Sequence, residues 1–322
     1  MNSTNNYSDI KFGINNDAER ISWTAYFLFG VLSSLIGDSL ILYASYQRDA
    51  FKINRILVII IRHIAVSDLA STINRFLPIS ISLVTKSWIL GDVLCYVVAY
   101  TSYFTYLAGM SHIAVLTTSK FLLLRYPLRV ASWSKKRANQ VCIFAWAFTL
   151  IAPICFFVVD KDDVNFDNRI YSCEYGFTSD AWKRIVPISV FIFAVVPNMV
   201  IVATSVPTLM YLVDATRSAR RVQGSIPWQG ALTVTLTAAV FCISTLPITV
   251  HHITGSFVKN PSDSFLVHFY RLCYFLMMIN IAANFYIYVL TINSFQRFLF
   301  SNLSIFPVSV ETSNTVLTST AI

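Results

Sequence analysis

The chain has 322 residues, of which 56% are hydrophobic and only 12% charged. A soluble domain carries about 25% charged residues, and with a mean hydropathy of +0.61 no sizeable soluble catalytic domain remains once the apolar runs are set aside. The formal charge of +8 would suit a nucleic-acid partner, but the basic residues sit in short loops between apolar runs, which excludes that reading.

Residues 1–20 are polar and mixed in charge, so no signal peptide is expected before the first run. Seven apolar runs follow, at roughly 23–46, 55–84, 95–124, 139–158, 185–212, 230–254 and 265–291. Each meets the ~20 residues that a bilayer core demands. Three loops are basic: Arg48, Lys52 and Arg55; then Arg125, Arg129, Lys135, Lys136 and Arg137; then Arg217, Arg220 and Arg221. They alternate with acidic loops such as that of Asp160, Asp162, Asp163, Asp167 and Glu174. The positive-inside rule makes the basic loops cytoplasmic. The expected organisation is an extracellular tail over 1–22, a seven-span bundle over 23–291, an amphipathic helix over 292–300 and a disordered cytoplasmic tail over 301–322, in a multi-pass plasma-membrane protein. Asn2 and Asn6 head glycosylation sequons on the outer tail. No inverted repeat of the transporter kind is visible.

The third run is uncharged from Tyr96 to Thr118. Lys120 appears only at its far end, and Pro127, without an N–H to donate, stops the helix. Tyr96, Tyr100, Tyr103, Phe104 and Tyr106 form an aromatic wall in its outer half. In the second run Arg75 follows Asp68 by seven residues, two helical turns, so both are expected on one face. Charged groups inside a bilayer are costly and normally face the bundle interior or water. Arg75 therefore reads either as the contact for an acidic ligand or as a residue that snorkels or pairs with an outer-loop Asp. After the seventh run, Phe295, Phe298 and Leu299 share a helical face with Arg297 opposite, the pattern of a short helix lying in the membrane interface. His251 and His252 are adjacent and diverge on a helix, so they do not form a chelating pair. No metal-ligand spacing, nucleophile triad or phosphate loop appears elsewhere, and no enzyme activity is expected.

A set of ordered motifs makes the chain resemble the rhodopsin-like (class A) G-protein-coupled receptors over about residues 25–300. They are Gly37-Asp38, Ala65-Val-Ser-Asp68-Leu69, Trp88-Ile-Leu-Gly91 before Cys95, Trp146, Pro197, Phe241-Cys-Ile-Ser-Thr-Leu-Pro247, Asn284-Phe-Tyr-Ile-Tyr288 and Phe295. The departures fall on the switch positions. Ser119-Lys120-Phe121 stands where the family has Asp-Arg-Tyr, Thr245 where it has Trp, Phe285 where it has Pro, and Ser205 where many members have Tyr.

The resemblance implies an all-α membrane fold, a seven-helix bundle with a short amphipathic eighth helix. Of six cysteines, Cys95, at the head of the third run, and Cys173, in an outer loop, sit on the oxidising side, and a bridge between them is expected. Asp68 would belong to a sodium pocket with Asn280 and Asn284. Asp38 stands where the family has Asn, so two acids would stand close. The alternative is a hydrogen-bond network without an ion. Sodium is the only cofactor contemplated. Ser102 occupies the position of the Asp of amine receptors, and Met278 that of the retinal lysine, so neither a monoamine nor retinal is expected. The ligand-pocket candidates are Arg75, Ser102, Tyr103, Tyr106 and Arg271. The activation switches are Ser119, Lys120, Phe121, Phe241, Thr245, Pro247 and Tyr288. The partners implied are an extracellular ligand, a heterotrimeric G protein and arrestin, with membrane lipid around the bundle. Thr320 and Ile322 fit a PDZ groove. The competing readings are a receptor-like protein that binds without coupling, because the motif Arg is missing, and a transporter or channel.

Overall fold

The structure is a computed structural model that describes residues 17–47, 49–128, 133–159, 164–175, 180–219, 228–255 and 264–303. Among these residues seven helices are long and apolar enough to cross a membrane: Asp17–Ala44, Arg55–Thr85, Asp92–Arg125, Lys135–Val158, Ile185–Asp214, Gly230–His251 and Val267–Thr291. They are referred to below as the first to seventh spans. The first begins at Asp17, ahead of the apolar run at 23, because Asp17 and Glu19 in its first turn favour a helix N-terminus. The sequons at Asn2 and Asn6, and the tail residues Thr320 and Ile322, lie outside the described residues.

Helix starts and stops follow local chemistry. Asn54 caps the second span by accepting from Ile56 N–H at 2.8 Å, and Ser134 caps the fourth by accepting from Arg137 N–H at 3.2 Å. The third span starts after Gly91, whose φ of +82° is open to glycine at little cost. Trp88 Nε1 donates to the Gly91 carbonyl at 2.8 Å and closes that turn. The third span is the hub of the bundle, packing on the second, fourth, fifth and sixth spans.

Two spans are interrupted by π turns, Thr72–Phe76 in the second and Phe191–Val195 in the fifth. In the second, Leu77 N–H donates to the Thr72 carbonyl five residues back. Pro78 follows and has no N–H to return to the preceding turn. The carbonyl of Asn74, four residues before it, is met by Ser102 Oγ at 3.3 Å. One candidate pocket residue is therefore also a repair of the helix broken by Pro78.

Between the fourth and fifth spans the chain forms a hairpin. Strand β1, Val164–Asp167, pairs antiparallel with β2, Ser172–Tyr175, with Phe166 opposite Cys173. The turn is set by Asp167, which accepts from Arg169 N–H at 2.8 Å and forms an ion pair with the Arg169 guanidinium at 2.6 Å. Cys95 and Cys173 form a disulfide with their Cα atoms 5.3 Å apart. It pins the hairpin to the start of the third span, and the end of the bundle it covers is called the hairpin end below.

The helix after the seventh span runs from Asn293 to Leu303. Its apolar face does not simply lie on the membrane interface. Phe295 is fully buried and stacks on Phe51 of the first loop at 4.8 Å. Ser294 Oγ accepts from Lys52 N–H at 2.9 Å. The burial of Phe295 and Leu299 against protein explains why Arg297 is left on the outer face.

Candidate functional site

The interior of the bundle holds a narrow cavity, lined by Asp68, Ser71 and Arg75 of the second span, Ser102, Thr105 and Tyr106 of the third, Phe241 and Thr245 of the sixth, and Met277, Asn280 and Ile281 of the seventh. Asp68, Ser71 and Arg75 thus share a face across the π turn.

At the deep end, Asn284 Nδ2 donates to Asp68 Oδ2 at 2.7 Å. Asp38 is buried in the first span and its Oδ2 accepts from Ser34 Oγ at 2.6 Å. Ser34 Oγ also meets Thr72 Oγ1 at 2.7 Å, and Thr72 Oγ1 donates to the Asp68 carbonyl at 2.8 Å. Asp38, Asp68 and Asn284 are thus joined in one polar network, with Asn280 beside it on the cavity wall. Asp38 Oδ1 has no hydrogen-bond partner. An orphaned carboxylate oxygen with the carboxylate of Asp68 and the amide of Asn280 nearby is a hard oxygen set, suited to an alkali cation and unsuited to a soft transition metal. Among the described residues no group of three or more His, Cys, Asp or Glu side chains could hold a metal ion.

At the hairpin end stands Arg75, only 5% exposed. It is buried rather than snorkelling, and among the described residues it makes no ion pair with an outer-loop Asp. The carbon of its guanidinium lies 5.9 Å from the centre of the Tyr106 ring and 5.5 Å from that of Tyr274. Tyr274 Oη donates to Glu174 of β2. Side chains alternate along a strand, so Cys173 turns to the third span while Glu174 reaches the seventh. Burial raises the Glu174 carboxyl above its ordinary value, while the charge of Arg75 and the Tyr274 hydroxyl act the other way.

The remaining pocket candidates separate. Tyr106 and Ser102 line the cavity. Tyr103 turns to Phe156, at 5.0 Å between ring centres, and to Tyr175, at 6.4 Å. Arg271 is not brought beside Arg75: its Nε donates to the Arg169 carbonyl at 2.9 Å and its Nη1 pairs with Glu19 at 3.5 Å. It lines a second, more apolar cavity with Trp23, Phe27, Leu83 and Tyr274. Tyr274 thus borders the second cavity and reaches toward Arg75 in the first.

At the opposite end, Ser119 and Lys120 are buried and Phe121 is half-buried. Among the described residues Lys120 makes no ion pair; its Nζ would lie 3.5 Å from a Cβ placed on Gly230, at the start of the sixth span. Phe241 and Tyr288 are buried, and Thr245 Oγ1 donates to the Phe241 carbonyl at 2.8 Å. Pro247 lies two residues beyond Thr245 in the sixth span. Phe285 packs against Gly37, where an added Cβ would approach it to 2.7 Å.

Sequence reasoning missed Glu174 as a site residue, although it adjoins Cys173, and missed Tyr274. It also missed a cluster between the second, third and fourth spans: Trp146 Nε1 donates to His63 Nδ1 at 3.3 Å, and the His63 and His112 rings stack at 5.6 Å. Trp146 marked that place only as a motif.

Seven spans around a polar core, with a hairpin held by a disulfide over one end, define a seven-transmembrane receptor. A family model described as 7 transmembrane receptor (rhodopsin family) matches residues 37–288, and the chain belongs to that family. The thyrotropin-releasing hormone receptor of Mus musculus is 28% identical over 137 residues, 42% of this chain and 35% of that receptor. Melanopsin-B of Xenopus laevis is 27% identical over 124 residues, 37% of this chain and 23% of melanopsin-B. G-protein coupled receptor 183-B of Danio rerio is 26% identical over 152 residues, 47% of this chain and 41% of that protein. The chain therefore spans well under two thirds of the length of the relatives it matches. These relatives are receptors, not enzymes.

Proposed function

We propose that the chain is a plasma-membrane receptor that binds an extracellular ligand at the hairpin end and signals through a heterotrimeric G protein at the Lys120 end. The observation that carries this reading is the cavity whose lining joins Arg75, at the hairpin end, to Asp68, which accepts from Asn284 in mid-bundle. A ligand seated against Arg75 touches the second, third, sixth and seventh spans, so its contacts can bias the packing of the sixth span against the rest. Phe241 and Thr245 of that span form part of the same wall. In this reading the basic loops are cytoplasmic, Asn2 and Asn6 carry glycans, Asp68 with Asn280 holds sodium, arrestin is a further partner, and Thr320 and Ile322 offer a PDZ ligand. Met278, without an amine, cannot form a retinal Schiff base, and Ser102 offers no charge to a monoamine.

A second reading, ligand binding without coupling, is favoured by Lys120. A lysine is a point charge and lacks the planar fork of the family's arginine. The two readings separate in a nucleotide-exchange assay on membranes containing the receptor and a promiscuous G protein. Exchange above receptor-free membranes supports coupling. Exchange at the receptor-free level across a broad ligand panel, with ligand still bound, supports the second reading.

A further inference from the structure

Arg75 is a buried cation whose hydrogen-bonding capacity is almost unused. A guanidinium carries five N–H donors and no acceptor. Among the described residues the one hydrogen bond from this side chain runs from Nη1 to the Met277 sulfur at 3.7 Å, and a thioether is a weak acceptor. Its Nε has no partner. Unmet donors on a buried charge are costly in a low-dielectric interior. Glu174, which the hairpin turns toward this region, is engaged by the hydroxyl of Tyr274, and among the described residues Arg75 makes no ion pair. Tyr274 stands between them, its ring beneath the guanidinium and its hydroxyl on the carboxylate.

We infer that this site takes the carboxylate of a small organic acid. The inference rests on the receptor reading and gives its ligand a chemical class. The planar fork of Arg75 matches a carboxylate with two parallel N–H···O bonds. Phe76, Phe241, Met277 and Ile281 on the same cavity wall are the apolar surfaces that the acid's body would displace and pack against. Asp68, two helical turns deeper, repels a carboxylate and confines it to the Arg75 end. Glu174 is its competitor: the hairpin brings a negative charge to the rim, and an incoming acid works against it.

The test is thermal unfolding of the purified, detergent-solubilised full chain titrated with hexanoate, with hexanamide and with sodium chloride. Hexanoate is expected to raise the melting temperature saturably, and hexanamide and chloride are not. In Arg75→Gln the hexanoate shift is expected to vanish. Arg75→Lys, which keeps the charge without the fork, is expected to raise the half-maximal concentration by about tenfold, the loss of one charge-assisted bond. Glu174→Gln is expected to lower it. If Arg75→Gln does not fold, the opposite shifts of Arg75→Lys and Glu174→Gln decide. A shift of equal size in the Arg75 variants, the same shift with chloride or hexanamide, or no saturable shift with hexanoate overturns the inference. Since unfolding reports binding and not signalling, an uncoupled receptor leaves this result standing, and a failed hexanoate titration leaves the receptor reading intact.

Discussion

Asn284 Nδ2 donates to Asp68 Oδ2 at 2.7 Å, and this bond ties the second span to the seventh in the middle of the bundle. Asn284→Ala leaves a buried carboxylate oxygen without its donor, which costs about 1–3 kcal/mol. Thermal unfolding of the solubilised protein measures it. The same network should respond to sodium: wild type is expected to melt higher in sodium than in a bulky organic cation, and Asp68→Asn to melt alike in both. A sodium effect that survives Asp68→Asn places the cation elsewhere.

The disulfide between Cys95 and Cys173 closes a long loop, 78 residues in sequence separation. Cys95→Ser and Cys173→Ser remove the same bond, so each is expected to lose surface expression to the same degree, with a cost of about 2–5 kcal/mol. The double variant should be no worse than either single one. Additive losses in flow-cytometric surface counts would mean that the two thiols act separately.

The hairpin carboxylate gives a pH dependence whose sign follows from its environment. Burial raises the Glu174 carboxyl from its ordinary value of 4.5, outweighing the Arg75 charge. The folded state therefore binds the proton more tightly than the unfolded chain does. This stabilisation is fully present below pH 4.5 and is lost as pH rises through the raised folded-state value. Glu174→Gln keeps an acceptor for Tyr274 and cannot ionise. It is expected to flatten the decline of melting temperature with rising pH above that point. An unchanged slope in Glu174→Gln assigns the dependence to another group.

Gly37 and Phe285 form a tight seam between the first and seventh spans. A Cβ on Gly37 would meet the Phe285 Cβ at 2.7 Å, and helix backbone does not yield easily. Gly37→Ala is expected to destabilise by about 1–3 kcal/mol, the usual cost of overpacking. Phe285→Ala in the same chain should return part of it. A double-mutant cycle on melting temperatures reads the coupling; an additive cycle would remove the seam from the account.

Much of the fold was legible because lipid leaves the sequence few options. Backbone groups must be satisfied within a helix, so seven long apolar runs can be little else. The disulfide was legible because only two cysteines lay on the oxidising side. Asp68 and Asn284 were legible from the motifs that carry them. The hairpin was not, since four-residue strands in a polar loop leave no periodic signal. Nor was the partner of Arg75. A π turn changes which way a side chain points in a manner that residue spacing does not record, and the Tyr274–Glu174 bond joins residues 100 apart in sequence. Arg271 was placed near Arg75 by its level in the seventh span; its level says nothing of the side of the helix, and Glu19 and the Arg169 carbonyl hold it elsewhere.

The proposed function turns on coupling through Lys120. The side chain is buried against Gly230 at the start of the sixth span, with no carboxylate partner among the described residues and with Ser119 in place of the family's Asp. The most direct measurement is basal nucleotide exchange on one promiscuous G protein by wild type, Lys120→Arg and Lys120→Ala at matched surface expression. Lys120→Arg restores the fork and is expected to raise exchange above wild type. Lys120→Ala removes the charge and is expected to lower it by roughly tenfold, the equivalent of one lost polar contact. Exchange at the receptor-free level in all three, with ligand still bound, would contradict coupling and leave a receptor that binds without signalling through a G protein.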